Sequence, residues 1–65
     1  MFITIVDNND DMYMVNSRQV SVISSIYTES TDDIAVTFEM TDKTFTLHIN
    51  EEEFSDLQDR VNKLL

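Results

Sequence analysis

The fold is decided by the stretch that runs from residue 34 to residue 40, Ile34-Ala35-Val36-Thr37-Phe38-Glu39-Met40. Every second side chain in it is large and apolar, and the side chains between them are small or polar. Because successive side chains of a β-strand point to opposite faces, this alternation predicts a strand with one face in a core. After the polar turn Thr41-Asp42-Lys43, a neighbouring strand is predicted with three inward residues, Phe45, Leu47 and Ile49.

Three further strands are predicted N-terminal to this stretch. Apolar and β-branched residues occupy 2–6, 12–15 and 20–28, and polar runs separate them at 7–11, 16–19 and 29–33. Since the chain has no glycine, Asn and Asp are the residues best able to adopt positive φ in the tight turns. The order of strands and turns predicts an antiparallel β-meander of four or five strands over about residues 2–49.

The last segment carries a strong helix-start signal. Asn50 is a favoured N-cap residue, and Glu53 three positions later completes a capping box with it. Ile49 can pack on Phe54 as a hydrophobic staple. An apolar stripe at helical spacing is formed by Phe54, Leu57, Val61 and Leu64. We therefore predict a single α+β domain over residues 1–65, with an amphipathic helix over about 51–64 packed on one face of the sheet.

The composition restricts how so small a domain can be stabilised. A chain of 65 residues buries only about 60% of its unfolded surface, and such domains usually need disulfides, a metal or a partner subunit. The absence of cysteine excludes disulfides, and a single histidine is too few for a histidine zinc site. We expect no cofactor, and self-association into a homo-oligomer, most simply a homodimer, is the remaining means of stabilisation.

The charge excludes several kinds of ligand. Thirteen acidic residues against four basic ones give a net charge of −9, whereas nucleic acids and anionic membranes are bound by Lys and Arg. A hydrophobic content of 42% argues against a disordered acidic tail. No apolar run approaches the roughly 20 residues that span a membrane, and the N-terminus predicts a strand and not a signal peptide. We expect a cytoplasmic protein that binds neither nucleic acid nor membrane directly, and whose partner is a protein with a basic surface.

Eleven of the thirteen acidic residues form two groups, and the other two, Glu39 and Asp42, are interpreted as ordinary solvent-side positions. Five lie in the helix, where the macrodipole or a base four positions later explains them: Glu51, Glu52, Glu53, Asp56 and Asp59. Six lie in the first and third turns of the predicted meander: Asp7, Asp10, Asp11, Glu29, Asp32 and Asp33. Alternate turns of an up-and-down meander fall at one end of the sheet, so we interpret these six carboxylates as a convergent partner-binding surface. The alternative is that they are solvated turn residues, which a glycine-free chain favours for their turn chemistry.

No residue set predicts catalysis or a metal centre. The pattern Asp7-x-Asn9-x-Asp11 matches the opening of a Ca²⁺-binding EF-hand loop, but Met12 and Arg18 replace the glycine and glutamate that the loop requires. His48 is predicted on the outward face of its strand, and no serine lies in a nucleophile-elbow context. We therefore predict that the protein is not an enzyme.

The apolar residues outnumber the positions that one helix can cover. The second strand is apolar on both faces. On the third strand, one predicted face holds Val20, Val22 and Ile26, and the other holds Ile23 and Tyr27. One alternative is a longer, curled sheet that buries both sets. Because Met and Tyr are enriched in interfaces, we favour an oligomer interface formed by Met12, Tyr13, Met14, Ile23 and Tyr27.

Two resemblances extend this interpretation. The pattern from Tyr13 to Leu64 resembles the small flagellar-regulator proteins of the FlbD type, in which a short strand and an Asn-x-x-x-Ile/Val motif precede two strands and a terminal helix. The matching residues are Asn16, Val20 and Ile23, then 34–38, 45–49 and the glutamate-rich helix start. The sequence departs from the pattern at two places: Ser17 replaces the proline after the asparagine, and Asp42-Lys43 replaces the glycine of the later turn. In size and charge the chain is similar to small bacteriophage-encoded inhibitors, including anti-restriction and anti-CRISPR proteins, some of which imitate nucleic acid.

The expected function is non-enzymatic inhibition or modulation of another protein. The six turn carboxylates would stand in for phosphates on a basic, nucleic-acid-binding surface of a host protein, as the resemblance to phage anti-defence proteins implies. Two alternatives stay open. The first is a regulatory or assembly module that binds through an exposed apolar sheet face. The second is an oligomeric sponge that sequesters a small nucleotide signal, for which the available bases are Arg18, Lys43, Arg60 and Lys63.

Overall fold

The computed structural model describes residues 1–28 and 32–64, and the side chains of Thr28 and Leu64 lie outside that description, as does the predicted stripe position of Leu64. Five strands and one α-helix lie in these ranges: β1 (Phe2–Val6), β2 (Met12–Asn16), β3 (Val20–Thr28), β4 (Asp33–Met40), β5 (Thr44–Ile49) and α1 (Glu51–Leu64). A 3₁₀ turn, Ser17–Gln19, joins β2 to β3. No helix in the described ranges is long and apolar enough to cross a membrane.

The α+β prediction is confirmed, with strands that run antiparallel to their neighbours. The sequence pattern predicts one continuous meander, but the strands divide between two sheets. β1 pairs with β2, and β3, β4 and β5 form the second sheet in that order. The break occurs at the 3₁₀ turn, where the Asn16 side chain accepts a hydrogen bond from the Arg18 N–H at 3.1 Å. After this turn, β3 starts a new sheet instead of pairing with β2.

The core lies between the two sheets and is closed by α1. The hairpin β1–β2 contributes Ile3, Ile5 and Val15. The larger sheet contributes the inward positions that the alternation predicts: Ile34, Val36, Phe38, Leu47 and Ile49. Leu57 of α1 is buried among them, and each fully buried side chain of this size is worth about 1.5–3 kcal/mol. Because the hairpin and the helix share the inner face of the larger sheet, its outer face is left exposed at Val22, Ile26, Thr44, Thr46 and His48.

A register shift in β3 changes which side chains face the core. Val20 pairs with Met40 and Val22 pairs with Glu39, so Ser21 is an extra residue between two ladder positions. Val20 therefore packs against the core, while Val22 and Ile26 point outward. The prediction that placed all three on one face is wrong at Val20, because the bulge reverses the alternation at that point.

The free edge of β1 is closed by two charged side chains of α1. Glu53 Oε2 accepts a hydrogen bond from the Val6 N–H at 3.0 Å, and the Arg60 guanidinium donates to the Thr4 carbonyl. The same guanidinium donates to Glu53 Oε1 at 3.1 Å, so the two side chains form one ion pair. We call Glu53 and Arg60 the edge clamp, since it occupies backbone groups that a further strand would otherwise bond.

Candidate functional site

Four segments converge at one end of the molecule. The Asn8 N–H donates to the His48 carbonyl at 2.8 Å, which joins the β1–β2 turn to the end of β5. The Asn8 side chain donates to Asp33 Oδ1 at 3.2 Å, and the Glu51 N–H donates to Asp32 Oδ1 at 2.8 Å. The first turn, the start of β4, the end of β5 and the start of α1 therefore meet. We call this region the acidic end and define it by its described carboxylates: Asp7, Asp10, Asp11, Asp32, Asp33, Glu51, Glu52 and Glu53.

The structure brings together five of the six predicted turn carboxylates, and Glu29 lies outside the described residues. It also adds the three glutamates of the first helical turn, for which the helix dipole alone is a sufficient reason in the sequence. A sequence signal for them existed, since α1 begins directly after β5 and must start where β5 ends. The segments that form the acidic end contain no Lys or Arg, and the nearest base is Arg60, bonded to Glu53.

Asp7 and Asp10 have structural roles in the first turn. Asp7 Oδ1 accepts hydrogen bonds from the N–H groups of Asn9 and Asp11, both at 2.9 Å. Asp10 adopts a φ of 64°, the left-handed conformation that Asp tolerates better than most residues. Turn geometry therefore gives these two acids a structural reason of the kind that the solvated-turn alternative describes.

Asp32 and Asn50 together cap α1. Asn50 Oδ1 accepts from the Glu53 N–H at 2.7 Å, as predicted for an N-cap, while Asp32 accepts from the Glu51 N–H. The reciprocal half of the predicted capping box is wrong, because the Glu53 carboxylate bonds the Val6 N–H and not the backbone of Asn50. A tertiary hydrogen bond to an otherwise unpaired strand group takes precedence over the local one.

The remaining acids differ in how much of their charge is engaged. Asp33 lies 3.2 Å from His48 Nδ1, which makes this exposed histidine part of the acidic end. Asp10, Asp11 and Glu52 are exposed, and their carboxylates make no hydrogen bond or ion pair with other described residues. No cluster of three or more described His, Asp or Glu side chains is arranged to hold a metal ion. These three acids are the carboxylates best placed to contact another molecule.

Two tyrosines report the local negative potential. A hydrogen bond with the Glu51 carboxylate, followed by its charge, raises the pKa of Tyr27 above its ordinary value. The Asp7 carboxylate raises the pKa of Tyr13 in the same way, mainly by hydrogen bonding, with a smaller contribution from the charge of Asp11. Each neutral hydroxyl is favoured because its anion would lie beside an existing negative charge.

We expect both tyrosines to ionise at higher pH than an ordinary tyrosine, as measured by the ultraviolet absorbance of tyrosinate. Because these pKa values are raised in the folded state, the associated stability is present below about pH 10 and is lost as pH rises through the folded values. Glu51→Gln should lower the pKa of Tyr27 and leave that of Tyr13 unchanged. If both tyrosines titrate with an ordinary tyrosine pKa while circular dichroism shows that the protein is folded, the described contacts with Asp7 and Glu51 are contradicted.

The five predicted interface residues do not form one surface. Met12 and Met14 are about two-thirds exposed on the outer face of the hairpin, beside Phe2. Ile23 packs against the core, and Tyr27 lies at the start of α1. Met12, Tyr13 and Met14 line a groove of about 620 Å³ between β2 and β5, together with Phe2, Met40 and Phe45. The set divides because the two sheets separate the second strand from the third.

Comparison of the sequence with protein-family models and with curated proteins, and of the fold with solved structures, finds no match.

Proposed function

We propose that this protein is a non-enzymatic modulator whose acidic end occupies a basic, nucleic-acid-binding surface of a partner protein. The observation that carries the proposal is the convergence of carboxylates from four segments, without an intervening Lys or Arg in those segments. Clustered like charges destabilise a fold, so a small domain that keeps them together has a cost that partner binding would explain.

The distribution of the bases supports the same function. Arg18 lies in the 3₁₀ turn, Lys43 in the β4–β5 turn and Lys63 in the last turn of α1. Backbone bonds from Ser17 to Met1 and from Thr41 to Gln19 place the first two at the end opposite to the acidic end. Because Glu39 and Asp42 also lie at that end, its bases largely offset its acids, and the negative charge is concentrated at the acidic end of a molecule 33 Å long. A polarised charge orients the protein as it approaches a basic surface and raises the association rate.

Carboxylates suit this role chemically. Nucleic-acid-binding surfaces hold phosphates with Lys and Arg, and a carboxylate accepts the same charge-assisted hydrogen bonds, bidentate from Arg. Asp11 and Glu52 are exposed for such contacts, while Asp7, Asp32 and Asp33 stabilise the shape of the surface. The similarity in size and charge to bacteriophage-encoded inhibitors supports a partner in host defence or nucleic-acid metabolism.

Charge reversal tests the proposal. The variant Asp11→Lys/Glu52→Lys should lose most of the capture of basic proteins from host lysate, and added DNA should displace the partners from wild-type protein. The matched control is Glu39→Lys/Asp42→Lys, which changes the net charge equally at exposed positions away from the acidic end. Binding should also weaken steeply as the salt concentration rises from about 50 to 500 mM, because the Debye length falls to well below 10 Å over this range. Equal capture by the two variants would refute the proposal.

A second candidate function rests on the groove between β2 and β5. Its exposed methionines and aromatic rings are typical of surfaces that bind apolar segments of other proteins. A regulatory or assembly module that binds there would capture its partner regardless of salt and of charge reversal. In the same capture experiment, loss of binding in Met14→Asp alone would favour this candidate over the acidic end.

A further inference from the structure

We propose that β3 is a dimerisation edge, on which a second copy of this chain adds its own β3 in antiparallel orientation about a two-fold axis at Ser24. The inference is independent of the proposed function, because it uses a different surface. It rests on the unpaired backbone of β3, on its uncharged sequence, on its self-complementary side chains and on the polarised charge.

The hydrogen-bond pattern of β4 identifies the free side of β3. The Met40 N–H donates to the Lys43 carbonyl at 2.8 Å, so Met40 bonds toward β5, and the Thr41 N–H donates to Gln19 at 3.1 Å, toward β3. Backbone groups of a strand alternate between its two neighbours, so odd-numbered residues of β4 bond toward β3. The even-numbered residues of β3 pair with them, as in Ser24 with Thr37.

The odd-numbered residues of β3 therefore present unpaired backbone groups. The N–H and C=O groups of Ile23, Ser25 and Tyr27 point away from β4 and bond no other described residue. Residues 24–27 are exposed on both faces of the strand. An edge of this kind is a template for another strand, which satisfies main-chain donors and acceptors in a single ladder.

Two of the other sheet edges carry polar contacts that β3 lacks. The edge clamp bonds β1, and the Asn8 N–H bonds the β5 edge at His48. Natural proteins also protect free edges with charged residues or proline, yet residues 20–28 contain neither. Within the described residues, β1 and β5 thus carry polar contacts at their edges, whereas β3 and the much shorter β2 do not.

The side chains of β3 are self-complementary about Ser24. In a two-fold antiparallel pair, opposite residues lie on the same face, so Ser24 faces Ser24 of the partner subunit and Val22 faces the partner subunit's Ile26. Val22 is 48% exposed and Ile26 is 71% exposed. The two-fold axis gives two Val22–Ile26 pairs in this register, and each pair covers part of this exposed apolar surface. A register centred on Ser25 would set Ile26 against serine and leave it exposed. The geometry therefore selects Ser24 as the centre.

The charge distribution selects the antiparallel orientation. β3 runs from the opposite end of the molecule, just after Arg18, to the acidic end, where Tyr27 bonds Glu51. Antiparallel pairing sets the acidic end of each subunit beside Arg18 of the partner subunit, whereas parallel pairing would set two acidic ends together. The product is a continuous six-stranded sheet with its two acidic ends at opposite extremes.

Two edge variants test the dimer by light scattering and analytical ultracentrifugation of the full chain. Edge-strand pairing buries a small area, so we expect wild-type protein to approach twice its 7.6 kDa mass at up to about 1 mM. Ser25→Pro removes an N–H that β4 does not use, and Ile26→Lys adds an edge charge. Each change acts twice in the dimer, so the dissociation constant should rise at least about 100-fold. Thr44→Lys, on the same outer face at β5, is the control that should remain dimeric.

A cysteine cross-link tests the register, since the chain has no native cysteine. Ser24 and its partner copy would form a non-hydrogen-bonded pair about 4.5 Å apart between Cα atoms, within the range of a disulfide. Ser24→Cys should therefore cross-link under mild oxidation and Ser25→Cys should not. Monomeric wild-type protein at about 1 mM, or dimers that persist in both edge variants, would overturn the proposal. Preferential cross-linking of Ser25→Cys would overturn the register.

Discussion

Phe38→Ala is expected to lower the free energy of unfolding by about 3–5 kcal/mol. Phe38 is fully buried at the centre of β4, the middle strand of the larger sheet, and its ring stacks on Phe45 with centroids 5.2 Å apart. Truncating a buried phenylalanine costs about 3–5 kcal/mol, because the lost contacts leave a cavity. A domain of 65 residues has a total stability of only about 3–10 kcal/mol. One side chain therefore accounts for a large fraction of the free energy of folding.

Urea denaturation followed by circular dichroism measures this effect. Phe2→Ala is the matched control, because Phe2 has the same side chain but is 58% exposed, and it should change the free energy of unfolding by less than about 1 kcal/mol. Phe38→Leu keeps most of the volume and should recover much of the lost free energy of unfolding. A transition of Phe38→Ala within about 1 kcal/mol of wild type would show that the core is not centred on β4.

The strands and the helix could be predicted from sequence because their signals are local. The alternation from Ile34 to Met40 specifies its own buried face, and Asn50 marks the helix start that the structure has at Glu51. The division into two sheets depends on whether β2 and β3 pair, which no side-chain pattern specifies. The bulge at Ser21 is likewise a property of pairing with β4, so the inward position of Val20 could not be found by alternation.

The approximate position of the acidic end could be predicted from the sequence, because the prediction does not require that all strands belong to one sheet. Strands that reverse direction at every turn return to the same end whether or not all of them pair, and the Asn8–Asp33 contact joins the two predicted turns. The roles of single acids were not predictable. Asp32 caps a helix that begins nineteen residues later, and no local pattern encodes that contact. The division of the five predicted interface residues follows from the same missing long-range information.

Glu53→Leu is expected to destabilise the protein by about 2 kcal/mol, far more than the loss of a surface ion pair. The Glu53 side chain is only 13% exposed, and its two oxygens accept from the Val6 N–H and from Arg60. Leucine keeps the bulk and the helix propensity but leaves the strand N–H unpaired and the Arg60 guanidinium without its carboxylate. Glu52→Leu is the control, because Glu52 is exposed, one position earlier and equally charged, and it should cost less than about 1 kcal/mol.

The edge clamp has a signature that distinguishes it from an ordinary helix-end charge. If Glu53 and Arg60 act as one unit on β1, then Glu53→Leu, Arg60→Leu and the double variant should be strongly non-additive, with a coupling energy of about 1–3 kcal/mol. Amide exchange at Val6 should accelerate in Glu53→Leu and not in Glu52→Leu, since only Glu53 bonds that N–H. Additive effects with unchanged exchange at Val6 would mean that β1 is held by apolar packing alone. A two-stranded hairpin is only marginally stable by itself, and the backbone of α1 offers no hydrogen-bond partner to the edge of β1. The side chains of the edge clamp supply those partners instead.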